Sequence, residues 1–377
     1  MNLILKKFLI AALALTIAPL PAFADKTIWQ LQEGNSNLSL LGDMRFRYET
    51  DHEESANPSK DRDRQRIRLR LGGEFQANEY VSMGARLATM ADDDHSTNHD
   101  LAIIKGGGAE SGFGLDKAFL KVDMKPASVW FGKNDNVVWD ATGLTWDQDL
   151  IPEGAGFRVE FGESFKGWVT GGYYMVNDTG WAKKDDTMMA YQAGAQFGSE
   201  YVIKVAVGGY AIEDKSTGDK EDLLTPGGSA SYTHAMIEVV GKEISMKPTF
   251  GVQMVSSNVD LAKQIGDGGK SSDKQAMTAY LKVVPDPVTV QFTYWDVGIA
   301  GATALGAFTQ DDFRATNNYT GWDVSVKGKL FGALSAEARY FYQQVKNEAI
   351  KPATPLDAII GKGKKLTRLQ VSLVTQF

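Results

Sequence analysis

Five arginines occupy every second position of one short segment, and apolar residues fill most of the alternate positions from residue 67 onward. The arginines are Arg62, Arg64, Arg66, Arg68 and Arg70, and the alternate positions include Ile67, Leu69, Leu71 and Phe75. Guanidinium groups stay charged, so a row of them supplies an electric field rather than bond-breaking chemistry. Successive side chains of a β-strand point to opposite faces, so this spacing predicts one charged face and one hydrocarbon face. A soluble sheet or a membrane barrel with a wet lumen would satisfy it.

The N-terminus predicts a cleaved secretory signal peptide over residues 1–24. Lys6 and Lys7 precede an apolar run from Phe8 to Leu15, and Ala22-Phe23-Ala24 stands before the expected cut. A retained anchor is the alternative, but the apolar run is well short of the ~20 residues that a spanning helix needs. We therefore expect an exported chain whose remaining residues, 25–377, form one barrel domain.

Composition narrows the class of protein further. The chain has no cysteine, which excludes a disulfide framework in an exported protein. Its formal net charge is -7, and an acidic balance argues against nucleic acid as a partner despite the arginine row. Beyond residue 24 no apolar run approaches ~18 residues, so no spanning helix is predicted. We expect no cofactor.

Alternating hydrophobicity recurs along the rest of the chain in sixteen stretches of seven to sixteen residues. Seven short and eight long connections alternate between them, which predicts an all-β, 16-stranded antiparallel transmembrane β-barrel with short periplasmic turns and long extracellular loops. A soluble β-sandwich is the alternative, but it predicts no such asymmetry. The predicted strands are 38–50, 61–76, 80–91, 113–124, 128–134, 156–163, 167–177, 187–197, 201–213, 229–241, 247–257, 274–284, 288–298, 318–330, 333–346 and 364–377.

The inward parity of the first four predicted strands carries further basic residues. Together with the arginine row they predict a basic wall that lines the lumen, diluted by Asp43, Glu49 and Asp123. A charged strand face that only prevents aggregation is the simpler interpretation. The predicted wall comprises Arg45, Arg47, Arg62, Arg64, Arg66, Arg68, Arg70, Arg86, Lys117 and Lys121.

The last predicted strand alternates apolar residues and ends on an aromatic one. Leu369, Val371, Leu373 and Phe377 share one parity. Such a strand resembles the assembly signal of outer-membrane porins, and the resemblance implies that the barrel-assembly machinery is a partner through this strand.

In strand number and loop order the whole of residues 25–377 resembles the trimeric general porins. That resemblance implies a homotrimer in which the loop after strand five folds into the lumen and narrows it. Here that loop is 135–155, and its acidic residues would face the arginine row across a narrow passage, producing a transverse field. These predicted constriction acids are Asp135, Asp140, Asp147, Asp149 and Glu153.

Two local motifs narrow the resemblance. An Arg-x-Arg-x-Arg-x-Arg-x-Gly run from Arg64 to Gly72 and a Trp-Asp-x-Asp-Leu-x-Pro-Glu-Gly run from Trp146 to Gly154 look like the family called "putative porins" of Gram-negative bacteria. The resemblance implies an outer-membrane channel for passive diffusion of small hydrophilic solutes and ions, with membrane lipid and lipopolysaccharide as neighbours.

Several alternatives stay open at this stage. Asp92 to Asp94 with His95 and His99, or Asp147, Asp149 and Glu153, could hold a divalent cation, although solvated acids or acids bridged by cations to lipopolysaccharide phosphates explain them equally well; we expect no specific metal site. A hydrolase would need a nucleophile paired with a histidine, and no serine elbow accompanies the four histidines. A structural or adhesive barrel with a closed lumen, and a substrate-selective channel, are the remaining alternatives.

Overall fold

Sixteen long strands account for most of the structure, a computed structural model that describes residues 30–33, 36–54, 60–90, 97–100, 112–163, 165–177, 185–213, 229–261, 269–302, 312–313, 316–348 and 365–377. The predicted signal peptide, Asp92 to Asp94 and His95 lie outside these residues. We number the strands β1 to β16 in chain order: Ser36–Glu54, Lys60–Gln76, Val81–Met90, Gly112–Met124, Ala127–Lys133, Glu153–Phe161, Lys166–Asn177, Asp186–Phe197, Tyr201–Glu213, Ser229–Gly241, Thr249–Ser257, Gln275–Val283, Val288–Val297, Tyr319–Phe331, Leu334–Val345 and Lys365–Gln376.

Each strand pairs antiparallel with the next one along the chain, and β16 pairs with β1 from Lys365↔Glu54 to Gln376↔Asp43. The sheet is therefore a closed barrel without a free edge, and the predicted fold class is confirmed. Two short strands were not predicted: Gln30–Glu33 pairs with β1, and His99–Asp100 pairs with β2.

The two faces of the sheet have opposite chemistry. Met44, Phe46 and Leu71 lie on the outer face and are each at least 40% exposed, whereas Arg66 and Arg68 on the inner face are buried. Apolar side chains outside and charged ones inside invert the pattern of a soluble protein, and they match a barrel that faces lipid. No helix in the described ranges is long and apolar enough to cross a membrane.

The connections follow the predicted alternation with one exception. The seven short ones are 77–80, 125–126, 162–165, 198–200, 242–248, 284–287 and 332–333. The first connection on the opposite rim was predicted at 50–60, but only 55–59 separates β1 from β2. The ladder continues from Asp51↔Arg62 to Glu53↔Lys60, and the opposite charges of Asp51 and Arg62 face each other and support the pairing.

Aromatic and aliphatic side chains also form a cluster inside the barrel, beneath the loop that joins β5 to β6. Val138, Leu144 and Trp146 of this loop pack against Tyr174 of β7 and Tyr210 of β9. Trp146 stacks on Tyr210 with ring centroids 6.0 Å apart. The loop therefore lies in the lumen, as the sequence predicted.

Candidate functional site

The arginine row of β2 faces a row of mixed charge on β1. The register sets Asp43 opposite Arg70 and Glu49 opposite Arg64, while Arg45 and Arg47 stand opposite two further arginines. Since paired residues on one face of a sheet have Cβ atoms about 5 Å apart, each acid is within reach of a guanidinium. The ten basic residues predicted to line the lumen thus share a wall with several acids.

Most of the arginines on β2 are held by carboxylates. Arg68 Nη2 lies 2.9 Å from Asp43 Oδ1, and Arg70 Nε lies 2.6 Å from Asp43 Oδ2. Glu49 binds Arg64, and Asp100 pairs with Arg62 at 3.4 Å and with Arg66 at 2.9 Å. The wall is consequently a lattice of ion pairs rather than the mainly basic surface that the sequence suggested.

The basic residues of β3 and β4 are paired in the same way. Arg86 binds Asp116, which lies at a register shift between the two strands. Lys117 Nζ contacts Asp135 Oδ1 at 2.5 Å, and Lys121 Nζ lies 3.4 Å from Asp123 Oδ2.

Asp140 organises the loop that occupies the lumen, residues 134–152. Its Oδ1 accepts hydrogen bonds from the backbone N–H groups of Thr142 (3.0 Å) and Gly143 (2.9 Å). Its Oδ2 accepts from the N–H groups of Thr145 (2.7 Å) and Trp146 (3.1 Å). An aspartate that binds its own following backbone in this way folds a turn. Asp140 therefore shapes the loop, whereas the sequence predicted only a constriction acid that faces the arginine row.

The loop is fixed to the wall opposite the arginines. The Trp139 N–H donates to Gln192 Oε1 of β8 at 3.0 Å, and the Thr142 hydroxyl donates to Gln253 Oε1 of β11 at 2.9 Å. Lys204 of β9 places its ammonium 3.6 Å from the Trp139 ring centroid, a cation–π contact. These contacts anchor one side of the loop while its other side reaches across the lumen.

Asp149 makes that crossing. Its Oδ1 lies 3.2 Å from Arg68 Nη1 and 3.3 Å from Arg70 Nη1, so the loop is in direct contact with the arginines of β2. The other predicted acids have different surroundings. Asp147 Oδ1 accepts from the Asp149 N–H at 2.8 Å, and Glu153 begins β6 and pairs with Lys133 at 2.9 Å.

A cavity of about 880 Å³ lies between these groups. The basic residues of β1 to β4, here called the arginine wall, contribute Arg45, Arg68, Arg70 and Arg86. The loop contributes residues 135, 136, 138–143 and 146–151. Gln291, Thr293, Ser325 and Lys327 of β13 and β14 close the perimeter. Most of the lining is polar, although Trp146, Leu150, Ile151 and Trp295 add apolar surface, and such a space suits water and hydrophilic solutes.

Asp312, in the connection between β13 and β14, is a lumen acid that the sequence did not reveal. Its carboxylate lies 2.8 Å from Arg47 Nη1 and 3.2 Å from Arg339 Nη1. Burial alone would raise the pKa of Asp312, but Arg47 and Arg339 outweigh it and hold the pKa well below its usual range. No periodicity marks a loop aspartate, whereas Arg339 and Arg368 stand at inward parity on β15 and β16 and could have been found by the same alternation.

The histidines and loop acids give no sign of a metal centre. In the parts of the chain that the structure describes, no group of three or more His, Cys, Asp or Glu side chains is placed to hold an ion. His234 is buried beneath the lumen loop beside Gln192, and His52 binds Asp61 near the rim.

Residues 50–227 match a known protein family whose description is "Putative porin". This match bears out the resemblance to putative porins over these residues, which are a little under half of the chain. The matched segment contains both motifs, the arginine run of β2 and the Trp146 to Gly154 run, although it is shorter than the resemblance suggested from sequence. Family and fold together indicate the outer membrane.

Solved porin structures have the same fold. The structure of Salmonella typhi OmpF in complex with daunomycin is 12% identical, covers 92% of this chain and 100% of its own, and gives a TM-score of 0.58. In-vitro folded OmpT from Vibrio cholerae is 12% identical, with 93% and 100% covered and a TM-score of 0.51. At these identities the likeness concerns the fold. No curated protein sequence is significantly similar to the chain.

Proposed function

We propose that the protein is an outer-membrane porin whose water-filled channel passes small hydrophilic solutes and ions by passive diffusion. The observation that carries the proposal is the polar cavity of about 880 Å³ between the arginine wall and the loop 134–152. The arginine wall and the acids of this loop together form the constriction. Diffusion through it needs neither a cofactor nor catalysis.

The charge arrangement supports selection by polarity. Arg45, Arg68, Arg70 and Arg86 meet Asp135, Asp147 and Asp149 around the same space. Low-dielectric walls strengthen each charge relative to bulk water. The opposed signs give a field across the passage, which favours dipolar solutes over apolar ones. Because acids of the arginine wall neutralise many of its cations, the net preference between anions and cations depends on the few charges without a close partner.

Assembly and location belong to the same proposal. The family resemblance supports a homotrimer and contact with lipopolysaccharide. The terminal strand, with the Phe377 ring 46% exposed on the outer face, supports recognition by the barrel-assembly machinery. Export would proceed through a cleaved signal peptide at 1–24.

Recording from the refolded protein in a planar bilayer tests the channel. Unit steps of current that scale with salt concentration are the expected result. A protein that inserts, as shown by protection of its strands from protease, yet gives no steps would contradict the proposal. Heat-unfolded protein from the same preparation is the control for detergent artefacts.

A structural or adhesive barrel with a closed lumen is the second candidate. It is favoured by one observation: the loop 134–152 touches both walls, through Gln253 on one side and through Arg68 and Arg70 on the other. The same recordings separate the candidates, because a sealed lumen gives silent insertions.

A further inference from the structure

Four arginines from three strands surround the single carboxylate of Asp312. Arg47 Nη1 and Gln370 Nε2 donate to its Oδ1 at 2.8 and 3.1 Å, and Arg339 Nη1 donates to its Oδ2 at 3.2 Å. Arg368 Nη1 donates to the Asp312 backbone carbonyl at 2.5 Å, and Arg45 adds its attraction from β1. Two guanidinium groups, each through one Nη1, and an amide therefore donate to the two oxygens of one carboxylate, and such charge-assisted hydrogen bonds are the strong ones.

The cluster depends unequally on this aspartate. Arg339 is also held by Asp323 at 2.9 Å, and Arg368 by Asp51 at 2.6 Å. Within the described ranges, Asp312 is the one carboxylate that pairs with Arg47. Without Asp312, the guanidinium of Arg47 would lose this ion pair and keep only the longer-range attraction of Glu49 and Glu337.

Arg45 is a second arginine of this cluster with few carboxylates near it. It hydrogen-bonds to Asn98, but it pairs with no carboxylate among the residues that the structure describes, and its Nε is buried without a hydrogen-bond partner there. Arg45 and Arg47 are two residues apart on β1, so they share the inner face about 7 Å from each other. Asp312 is thus the ion-pair partner of Arg47 and one of the two acids that attract Arg45, the other being Asp149 of the lumen loop.

The cluster can be reached from the lumen. Arg45, Asp312 and Arg339 all line the cavity of about 880 Å³. The next residue, Phe313, is buried among three aromatic rings. Its ring centroid lies 5.1 Å from that of Trp295, 5.2 Å from that of Tyr319 and 4.9 Å from that of Phe341. The aromatic packing holds the backbone in place, so the Asp312 side chain can leave the arginines by rotation about its own bonds.

We propose that Arg45, Arg47, Arg339 and Gln370 form a carboxylate-binding subsite in the channel, occupied in this structure by Asp312 and available to small organic acids that displace it. The inference rests on the proposed channel and names one class of solute for it. A solute carboxylate exchanges with the Asp312 carboxylate, so the cluster keeps a counter-ion throughout passage.

Succinate is the probe, and the variant Asp312→Asn removes the competing charge while keeping the side-chain size. While Asp312 occupies the site most of the time, the apparent affinity of succinate is reduced to the fraction of molecules whose site is free. We therefore expect succinate to block half of the current at a roughly tenfold lower concentration in the variant. Asp296→Asn is the matched control: it removes an acid paired with Lys346, away from the cluster, and should leave the half-block unchanged. Adding Arg45→Gln to Asp312→Asn should abolish the gain.

Calorimetric titration of succinate into the folded protein in detergent gives a readout that does not need a channel, and the heat-dependent electrophoretic mobility checks folding of each variant. Current steps with equal succinate affinity in wild type and Asp312→Asn would overturn the subsite and leave the channel standing. Tighter succinate binding in the variant without any current steps would overturn the channel instead. If Asp312→Asn does not fold, Arg45→Gln alone decides: undiminished succinate binding contradicts the subsite.

Discussion

Phe377 and Gly42 exchange both of their backbone hydrogen bonds, at 2.8 and 3.0 Å, where the last strand meets the first. The Phe377 ring lies directly over Gly42, so a Cβ added there would come within 2.4 Å of it. At the point where the barrel closes, the Phe377 ring therefore occupies the space that a side chain at position 42 would need.

Replacing this glycine should weaken closure of the barrel. We expect Gly42→Ala to lower the free energy of unfolding by about 1 kcal/mol, because the ring must move from its position. The measurement is urea unfolding in lipid vesicles. Gly328→Ala on β14 is the matched control, since a Cβ there meets its nearest atom at 3.6 Å. Equal stabilities of the two variants would show that the ring contact contributes nothing.

Asp140 should control the shape of the constriction. Asp140→Ala leaves four backbone N–H groups of the loop without their acceptor, and we expect loop docking to lose roughly 2 kcal/mol. The result is a larger and noisier single-channel conductance with unchanged barrel stability. Asp296→Asn is the control, because that carboxylate binds Lys346 and belongs to β13 rather than to the loop. Wild-type conductance in Asp140→Ala would contradict a role in positioning the loop.

The arginine wall should set ion preference. Neutralising Arg66, Arg68 and Arg70 together removes three cations, frees Asp43 and Asp149 of their ion-pair partners, and leaves Asp100 with Arg62 and Arg64. A unit charge about 4 Å from an ion is worth about 1 kcal/mol in water, so we expect relative permeability to shift toward cations by at least about fivefold. The reversal potential under a salt gradient measures it.

The converse change, Asp149→Asn, should move the reversal potential in the opposite direction, because Arg68 and Arg70 lose the loop acid that they share. Unchanged potentials in both variants would mean that ions do not pass beside this wall.

Most of the fold could be predicted from the alternation of polar and apolar residues along the sequence. This alternation predicted sixteen strands and the inward direction of Arg68. Side chains of a strand alternate between its two faces, and in a lipid-facing barrel one face is apolar and the other polar, so both can be identified from the sequence. The predicted strand ends were less accurate: β1 continues to Glu54 beyond the predicted residue 50, since Asp51 stands opposite Arg62 of β2 and binds Arg368 of β16.

The site was predicted in outline and differs in detail. Parity cannot show which acid binds which arginine, so the pairing of Arg68 with both Asp43 and Asp149 emerges only from the structure. Asp140 and Asp149 are aspartates of the same loop, yet the Asp140 carboxylate binds the backbone of the loop itself and the Asp149 carboxylate binds arginines across the lumen. Asp312 follows no periodic pattern, so alternation could not find it.

The most direct test of the central claim asks whether the inner face is in contact with water that conducts current. The chain has no cysteine, so a single introduced thiol is unambiguous. Gln291 lines the cavity, and its neighbour Phe292 lies on the outer face, 45% exposed. A membrane-impermeant, charged thiol reagent added during bilayer recording should reduce the current through Gln291→Cys and leave Phe292→Cys unchanged. An unaltered current in Gln291→Cys, with mass spectrometry showing that the thiol has not reacted, would contradict a water-filled channel.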